Sequence, residues 1–222
     1  MNARTGVKTI DPAGLEPRQL YTLHTELLLP RPIAWISTVS KTGFNNLAPF
    51  SFFGGVTSNP PLMGVGIGKG REGGEKDTLK NILDTGEFVI NMVDASLIEQ
   101  ANMTAAEFPA HVDEFQIADL TAVPSVKVRP PRVEESPVSM ECRVEKILEV
   151  GAGPSHFVIG QAILFHIRRD LWDRGNLKKE AYLPIARLGG TAYAHLGEIF
   201  HLPRPDATRL MDMQGLKRKT KK

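Results

Sequence analysis

The sequence predicts a mainly β protein, folded as one antiparallel β-barrel domain with a few short helices. Much of the chain alternates apolar and polar residues with the period of strands, and clusters of turn residues separate these runs. Only two short segments show helical spacing. The alternation of strand and long helix that indicates a parallel α/β sheet is absent. A length of 222 residues with 41% hydrophobic side chains allows a substantial core.

Three strands are predicted in the first part of the chain. The first covers residues 33–40 and ends at a short turn, 41–43. The second covers residues 44–53, and the prolines of 59–61 end that region because proline cannot donate to a ladder. The third covers residues 62–68, where every second residue from Gly64 is glycine. We expect another backbone or a ligand to approach this bare face closely.

Two short helices are predicted further along the chain. Asp77 is a natural N-cap for the first helix, and Gly86 is a natural stop at its C-terminus. A fourth strand at 87–93 follows. Asp94 is then predicted to cap a second helix of about a dozen residues that ends near Phe108.

The clearest hairpin pattern lies in the second half of the chain. Residues 138–150 and 156–168 flank a turn at 151–155, and the proline-rich stretch before them, 123–137, is expected to be irregular with one short strand. On the second strand the bulky face is predicted to pack in the core. The opposite face carries small side chains and a histidine at each end: His156, Val158, Gly160, Ala162, Leu164 and His166.

Composition narrows the class of protein. No apolar run approaches the 18 or so residues of a membrane span, and the N-terminus lacks the apolar stretch of a secretory signal. The single cysteine, Cys142, excludes an internal disulfide framework, so we expect a cytoplasmic protein. Five of the 27 basic residues lie at 217–222, which leaves a slightly acidic body. This end could bind a polyanion, but it is also typical of a solvated tail, and nucleic acid is not the expected partner.

Several common catalytic patterns are missing from the sequence. The histidines and Cys142 lack the spacing of a zinc site, and there is no Gly-x-Ser-x-Gly elbow, so no metal site is predicted. The glycines of 64–68 lie inside a predicted strand and lack the spacing of a dinucleotide-binding fingerprint. A conventional NAD-binding domain is therefore not expected.

Residues 45–53 form the first segment with the residue types of a binding site. Two asparagines, a proline and a serine interrupt what would otherwise be a plain strand, and phenylalanines follow. Short polar groups beside apolar rings suit a flavin, whose pyrimidine edge needs hydrogen bonds and whose dimethylbenzene edge needs apolar contact. The same pattern is also typical of an irregular edge strand with a bulge.

Two further segments carry candidate functional residues. Residues 68–76 are rich in glycine and basic side chains and lead into a helix start at Asp77 and Thr78, a combination that favours phosphate binding. The ending typical of a P-loop is missing, and a capped helix after a surface loop is equally consistent. His156 stands at the start of a predicted strand, where it could be either structural or functional.

These segments together resemble the flavin reductase-like family of FMN-binding split barrels. The resemblance covers roughly residues 25–200 and is carried by an ordered series of runs, namely 30–40, 46–53, 58–61, 76–82 and 87–91. It implies a six-stranded antiparallel Greek-key barrel at 25–200, with an N-terminal extension at 1–24 and a polar tail at 201–222. It also implies a homodimer with FMN near the subunit interface.

The resemblance assigns roles to particular residues. His156 would lie on the nicotinamide side and orient that ring. The residues implied to bind FMN are Asn46, Leu47, Ala48, Ser51, Phe52, Ser58, Asn59, Lys76, Asp77, Thr78 and Arg187.

The expected function is that of an FMN oxidoreductase which transfers a hydride from NADH or NADPH to the flavin. Reduced flavin would then serve a flavin-dependent monooxygenase or another acceptor. Hydride transfer to flavin needs no protein acid or base, which agrees with the lack of a catalytic dyad in the sequence. The alternatives are an FMN-binding electron carrier with a different substrate, and a nonenzymatic protein that binds FMN or a polyanion.

Overall fold

A computed structural model of the chain describes residues 6–70, 73–151, 153 and 155–213. The basic end of the chain, 217–222, lies outside the described residues, as do Arg71 of the glycine-rich loop and Pro154 of the hairpin turn. Within these ranges the protein is mainly β with a few short helices, which confirms the predicted class. No helix in the described part of the chain is long and apolar enough to cross a membrane.

Fourteen strands and five α-helices make up the described fold. The strands are β1 Arg31–Pro32, β2 Ala34–Val39, β3 Asn45–Phe50, β4 Phe53–Ser58, β5 Pro61–Ile67, β6 Glu87–Met92, β7 Ala122–Val123, β8 Arg132–Val133, β9 Val138–Val150, β10 Ser155–Ile167, β11 Trp172–Asp173, β12 Asn176–Leu177, β13 Ala186–Arg187 and β14 Tyr193–Ala194. The helices are α1 Pro17–Leu27, α2 Asp77–Thr85, α3 Ile98–Met103, α4 Glu114–Ile117 and α5 Ala207–Met213.

The main sheet is antiparallel and has seven strands in the order β3-β2-β6-β9-β10-β5-β4. The predicted strand at 44–53 is in fact two strands, because the chain leaves β2 after Phe50 and pairs with β5 from Phe53. β3 and β4 therefore form opposite edges of the sheet, joined by Ser51 and Phe52. The expected six-stranded Greek-key split barrel is matched only in part, because the main sheet has seven strands and its two edge strands are joined through Ser51 and Phe52.

One face of the sheet encloses the inner core. Residues from six strands and from α2 meet there: Ala34, Ile36, Phe50, Val65, Ile67, Leu79, Ile82, Phe88, Ile90, Met140, Cys142, Val158 and Ala162. Gly160 is essential to this packing, since a Cβ atom at that position would lie 2.3 Å from Cζ of Phe88.

The expectation for the two faces of β10 was wrong. Val158 and Ala162 are buried in the core, whereas Phe165, from the face predicted to be core, is 50% exposed. The small residues are inside because the ring of Phe88 reaches across from β6 and fills the space above Gly160. That space is therefore occupied by the protein itself and cannot receive a flat ligand.

The opposite face of the sheet carries a second core beneath the short helices. Trp35, Leu47 and Phe115 are its largest fully buried members. The indole of Trp35 donates a hydrogen bond to the Thr104 hydroxyl over 2.8 Å. Because side chains alternate along β3, Leu47 points into this second core and its neighbours in the strand point to the other face of the sheet.

The helix boundaries differ partly from those predicted. Gly86 ends α2 with φ of 69°, as predicted, but Lys76 is the N-cap and Asp77 is the first helical residue. α3 has only six residues. Asp94 does not cap it, because its carboxylate accepts hydrogen bonds from the backbone and hydroxyl of Ser96 in a preceding turn.

The long hairpin of β9 and β10 is confirmed. The segment from β7 to β8, residues 122–133, runs along the outer side of this hairpin and is called the strap. Glu141 on β9 is fully buried and accepts hydrogen bonds from the backbone of Val126 and Lys127 and from His166. Burial alone raises the pKa of Glu141, but these hydrogen bonds outweigh it and lower the pKa, so the carboxylate stays ionised and holds the strap.

Candidate functional site

A deep cavity, called the main cavity, lies where the edges of the main sheet meet the loop before α2. It encloses about 860 Å³, within the usual range of ligand sites. Its wall combines α1, the end of β3, the ends of β5 and β10, the glycine-rich loop and the segment after α3. Its lining includes Tyr21, His24, Asn46, Ala48, Ser51, Phe52, Gly66, Gly68, Lys69, Lys76, Asp77, Thr78, Glu114 and His156.

The wall formed by β3 and the chain after it is both polar and apolar. The Asn46 amide donates to the Thr78 hydroxyl over 2.9 Å, and both side chains are buried, so β3 is fixed to the start of α2. Ala48, Ser51 and Phe52 continue the wall. This wall therefore offers a held amide, a hydroxyl and an aromatic ring along one side of the cavity.

The glycines of β5 make room for aromatic rings. A Cβ atom at Gly64 would lie 2.2 Å from the ring of Phe157, and one at Gly66 would lie 3.0 Å from Cβ of Phe52. Gly68 has nothing within 4 Å and opens onto the cavity. The bare face predicted for this strand is thus approached by aromatic side chains, and only its end is free for a ligand.

The floor of the cavity next to α2 carries charged side chains of both signs, including two lysines, and is rich in backbone donors. Lys69, Lys76, Asp77 and Thr78 all line it. The Lys76 ammonium lies 3.3 Å from Glu107, an ion pair near the surface. The first N–H groups of a helix have no partner within the helix, so the start of α2 favours an anion.

Glu114 is a buried carboxyl group in the same cavity. It accepts a hydrogen bond from the Leu47 backbone N–H over 3.0 Å. Burial raises its pKa to about 7, with a smaller contribution from the charges of Asp113 and Asp77, while the Leu47 hydrogen bond opposes the shift. Sequence reasoning missed Glu114, since nothing in its local pattern distinguishes it from an exposed helix residue.

His156 lies at the start of β10, opposite Ile67 of β5, and lines the cavity. Its Nδ1 atom is buried and has no hydrogen-bond partner among the described residues. A buried polar atom without a partner is unusual in native proteins, and here it belongs to a side chain that lines a ligand-sized space.

Helix α1 forms a side of the cavity that the sequence did not predict. Tyr21 and His24 line the cavity, and the His24 ring lies 5.6 Å from the ring of Phe52. The predicted boundary at residue 24 falls inside this helix, so the segment treated as an extension supplies part of the wall.

Residues 27–181 match the family described as the flavin reductase like domain, which is well over half of the chain. The chain belongs to the flavin reductase-like family.

Relatives and solved structures agree with this family assignment. An uncharacterized protein of Halalkalibacterium halodurans is 38% identical over 88% of this chain and 96% of its own length. The structure of nitrilotriacetate monooxygenase component B from Bacillus cereus has 35% identity and a TM-score of 0.85, covering 89% of this chain and 100% of that chain. The 2-nitrobenzoate 2-nitroreductase of Pseudomonas fluorescens has 29% identity and a TM-score of 0.82, with 90% and 98% coverage.

Four residues that the flavin reductase-like resemblance assigns to FMN are not brought to this cavity. Leu47 points into the second core. Ser58 and Asn59 are exposed at the turn between β4 and β5. Arg187 stacks on Tyr193, with its guanidinium carbon 4.3 Å from the ring centroid. Their role in FMN binding stays a prediction without support from the cavity of a single chain.

A second, more apolar groove adjoins the main cavity. It encloses about 650 Å³ and is lined by residues 27–32 and 51–56 and by three residues of β5 and β10. Leu27, Leu28 and Val56 are each exposed by 47% or more. Phe52 lines both spaces, so the groove and the cavity share a wall in this flavin reductase-like fold.

Proposed function

We propose that this protein binds FMN in the main cavity and transfers a hydride from NADH or NADPH to it. The observation that carries the proposal is a single cavity in which the polar and aromatic wall of β3 faces a basic, glycine-rich loop at the start of α2. An isoalloxazine ring suits the first of these surfaces, and a phosphate suits the second.

The donor set of the cavity fits FMN. Asn46, Ser51 and nearby backbone groups would meet the pyrimidine edge, and Ala48 and Phe52 would contact the apolar part of the ring. Lys76 and the backbone N–H groups of Asp77 and Thr78 would hold the phosphate. Among the described lining residues, one segment combines lysines with a helix start, which favours a mononucleotide over FAD.

When bound, FMN supplies the hydride-accepting chemistry, and the protein's task is to bind and orient. Phe52 and the open end of the glycine-rich strand at Gly68 would border the space for the rings. The Nδ1 atom of His156, which has no partner among the described residues, would form a hydrogen bond with a group on the nicotinamide side of the flavin. No protein acid or base is needed for the transfer itself.

The proposal includes a homodimer and a downstream acceptor. A second copy of the chain would cover the apolar groove, where the side chains of Leu27, Leu28 and Val56 are exposed. A neighbour with 35% identity is named as a monooxygenase component. On this basis, reduced flavin would be delivered to a flavin-dependent oxygenase.

Two titrations and one anaerobic spectrum test the proposal. Protein stripped of flavin should quench FMN fluorescence with a lower Kd than that of FAD. FMN-loaded protein should lose its absorbance near 450 nm, as bound flavins do on two-electron reduction, when NADH or NADPH is added without oxygen. Equal or tighter FAD binding would contradict the cofactor assignment. Tight FMN binding without reduction by either nucleotide would favour an electron carrier instead.

A further inference from the structure

Two aromatic side chains of the main cavity lie outside the part of the chain that matches the family. Tyr21 and His24 are on α1, and the match begins at residue 27. The family match itself therefore gives these two side chains no role.

Helix α1 is held firmly against the cavity by a buried arginine. The Arg31 guanidinium donates hydrogen bonds to the backbone carbonyls of Thr25, Leu28 and Leu188, at 3.0 Å for Leu28 and 2.8 Å for Leu188. Its Nε–H donates to the Ser51 hydroxyl over 3.3 Å. One buried side chain thus joins the end of α1 to the wall that carries Ser51 and Phe52.

A second contact lies at the same end of the helix. A Cβ atom at Gly189 would lie 2.5 Å from Cγ of Glu26, so the loop after β13 packs directly on α1. Because these two contacts hold the C-terminal end of α1, Tyr21 and His24 form a fixed part of the wall.

The chemistry of this part of the wall suits a planar ring with a polar substituent. The His24 imidazole and the Phe52 ring are tilted by 42° to each other, an arrangement that favours aromatic packing. The Tyr21 phenol and the imidazole can each donate or accept a hydrogen bond. The Arg31 guanidinium lies 5.8 Å from the Phe52 ring centroid without lining the cavity, whereas Lys69 and Lys76 line the floor beside α2.

We propose that Tyr21 and His24 determine the specificity for the second substrate, by receiving a planar ring that bears a carboxamide, the nicotinamide group. This inference rests on the proposed function and adds the residues that select the reductant. Tyr21 and His24 contact the incoming nicotinamide ring, whereas the β3 wall and the α2 floor determine the affinity for FMN.

Single variants of the full chain loaded with FMN test this role. His24→Ala and Tyr21→Phe should each raise the KM for the preferred nucleotide about tenfold, the equivalent of ~1.4 kcal/mol, with kcat nearly unchanged. A binding readout independent of turnover is the change in bound-flavin absorbance on titration with oxidised NAD⁺ or NADP⁺, which should need about tenfold more ligand. Leu20→Ala, on the same helix but outside the cavity, is the matched control.

The affinity for FMN and the melting temperature separate the possible outcomes. Both should match the wild type in all three variants. Parallel weakening of FMN binding, or an unchanged KM and unchanged NAD⁺ titration, would overturn the inference and leave the proposed function intact. If wild-type protein fails to bind FMN, or its flavin is not reduced by either nucleotide, the proposed function fails and the inference falls with it.

Discussion

Lys76 is the single residue whose charge should matter most for cofactor affinity. Replacing it with alanine removes a charge-assisted contact worth about 1.5–3 kcal/mol. Lys76→Ala should therefore weaken FMN binding by roughly one to two orders of magnitude, while riboflavin, which lacks the phosphate, binds as before. Stability should change little, because the Lys76–Glu107 pair is partly exposed.

Fluorescence-quenching titrations with the two ligands measure the Lys76 effect. Lys80→Ala is the control, since Lys80 is exposed on the same helix and does not line the cavity. Equal loss of affinity for FMN and riboflavin would contradict the phosphate assignment.

Glu114 should make the stability of the protein without flavin depend on pH. Its pKa is raised from 4.5 to about 7 in the folded chain, so in this window the folded state holds a proton that the unfolded state has lost. The free energy of unfolding should therefore decrease as pH rises from about 4.5 to about 7 and then level off.

Glu114→Gln keeps an acceptor for the Leu47 N–H and removes the ionisation. Urea unfolding at a series of pH values should show a flatter profile for this variant and a gain in stability above neutral pH. Glu145→Gln, at an exposed position of β9, is the control. A parallel pH profile for Glu114→Gln and wild type would show that the buried carboxyl does not titrate as described.

Part of the candidate site could be predicted from single residues and their neighbours. Eight residues named from the sequence line one cavity: Asn46, Ala48, Ser51, Phe52, Lys76, Asp77, Thr78 and His156. These eight residues could be predicted because each lies in a segment whose residue types are unusual for its local structure. Tyr21, His24 and Glu114 were missed because their place in the cavity depends on long-range packing, which leaves no local signal.

Among the elements, those with strong local signals were predicted well. The β9–β10 hairpin and the C-terminal end of α2 follow from alternation and from Gly86. The change of strand partner at Ser51 and Phe52 could not be predicted. The pattern of residues 44–53 suits one continuous strand, and it is divided into β3 and β4 only because the first part pairs with β2 and the second with β5.

Strand β10 should tolerate no side chain at Gly160. The new methyl group of Gly160→Ala would overlap the ring of Phe88, which is fully buried and cannot move aside. We expect a loss of about 1–3 kcal/mol in the free energy of unfolding. Chemical denaturation without flavin measures it, with Gly68→Ala as the control because nothing lies within 4 Å of that position. An unchanged midpoint for Gly160→Ala would contradict the described packing of Phe88.

At the scale of the whole molecule, the shared wall at Phe52 should couple assembly to cofactor binding. If a second copy covers the apolar groove, the cavity is complete only in the dimer, and the affinity for FMN should fall when the protein is diluted below its dimerisation constant. Leu28→Asp places a charge in the groove, where Leu28 is 47% exposed. It should shift the protein to monomer and weaken FMN binding together.

Sedimentation and flavin titration on the same samples test this coupling. Leu83→Asp is a matched control, since Leu83 is 48% exposed and lines neither the groove nor the cavity. A monomeric Leu28→Asp variant with normal FMN affinity would show that each chain binds the cofactor independently.

The buried position of Cys142 gives the protein a built-in reporter of its own opening. It is the chain's only cysteine, it is fully enclosed in the inner core, and burial raises the pKa of its thiol. Only a thiolate reacts with disulfide reagents such as Ellman's reagent, so modification must wait until the sheet opens. Labelling should be slow in the native protein, slower still with FMN bound, and markedly faster in Gly160→Ala. Rapid labelling of the folded wild type would mean that the core exchanges with solvent through a local motion near β9.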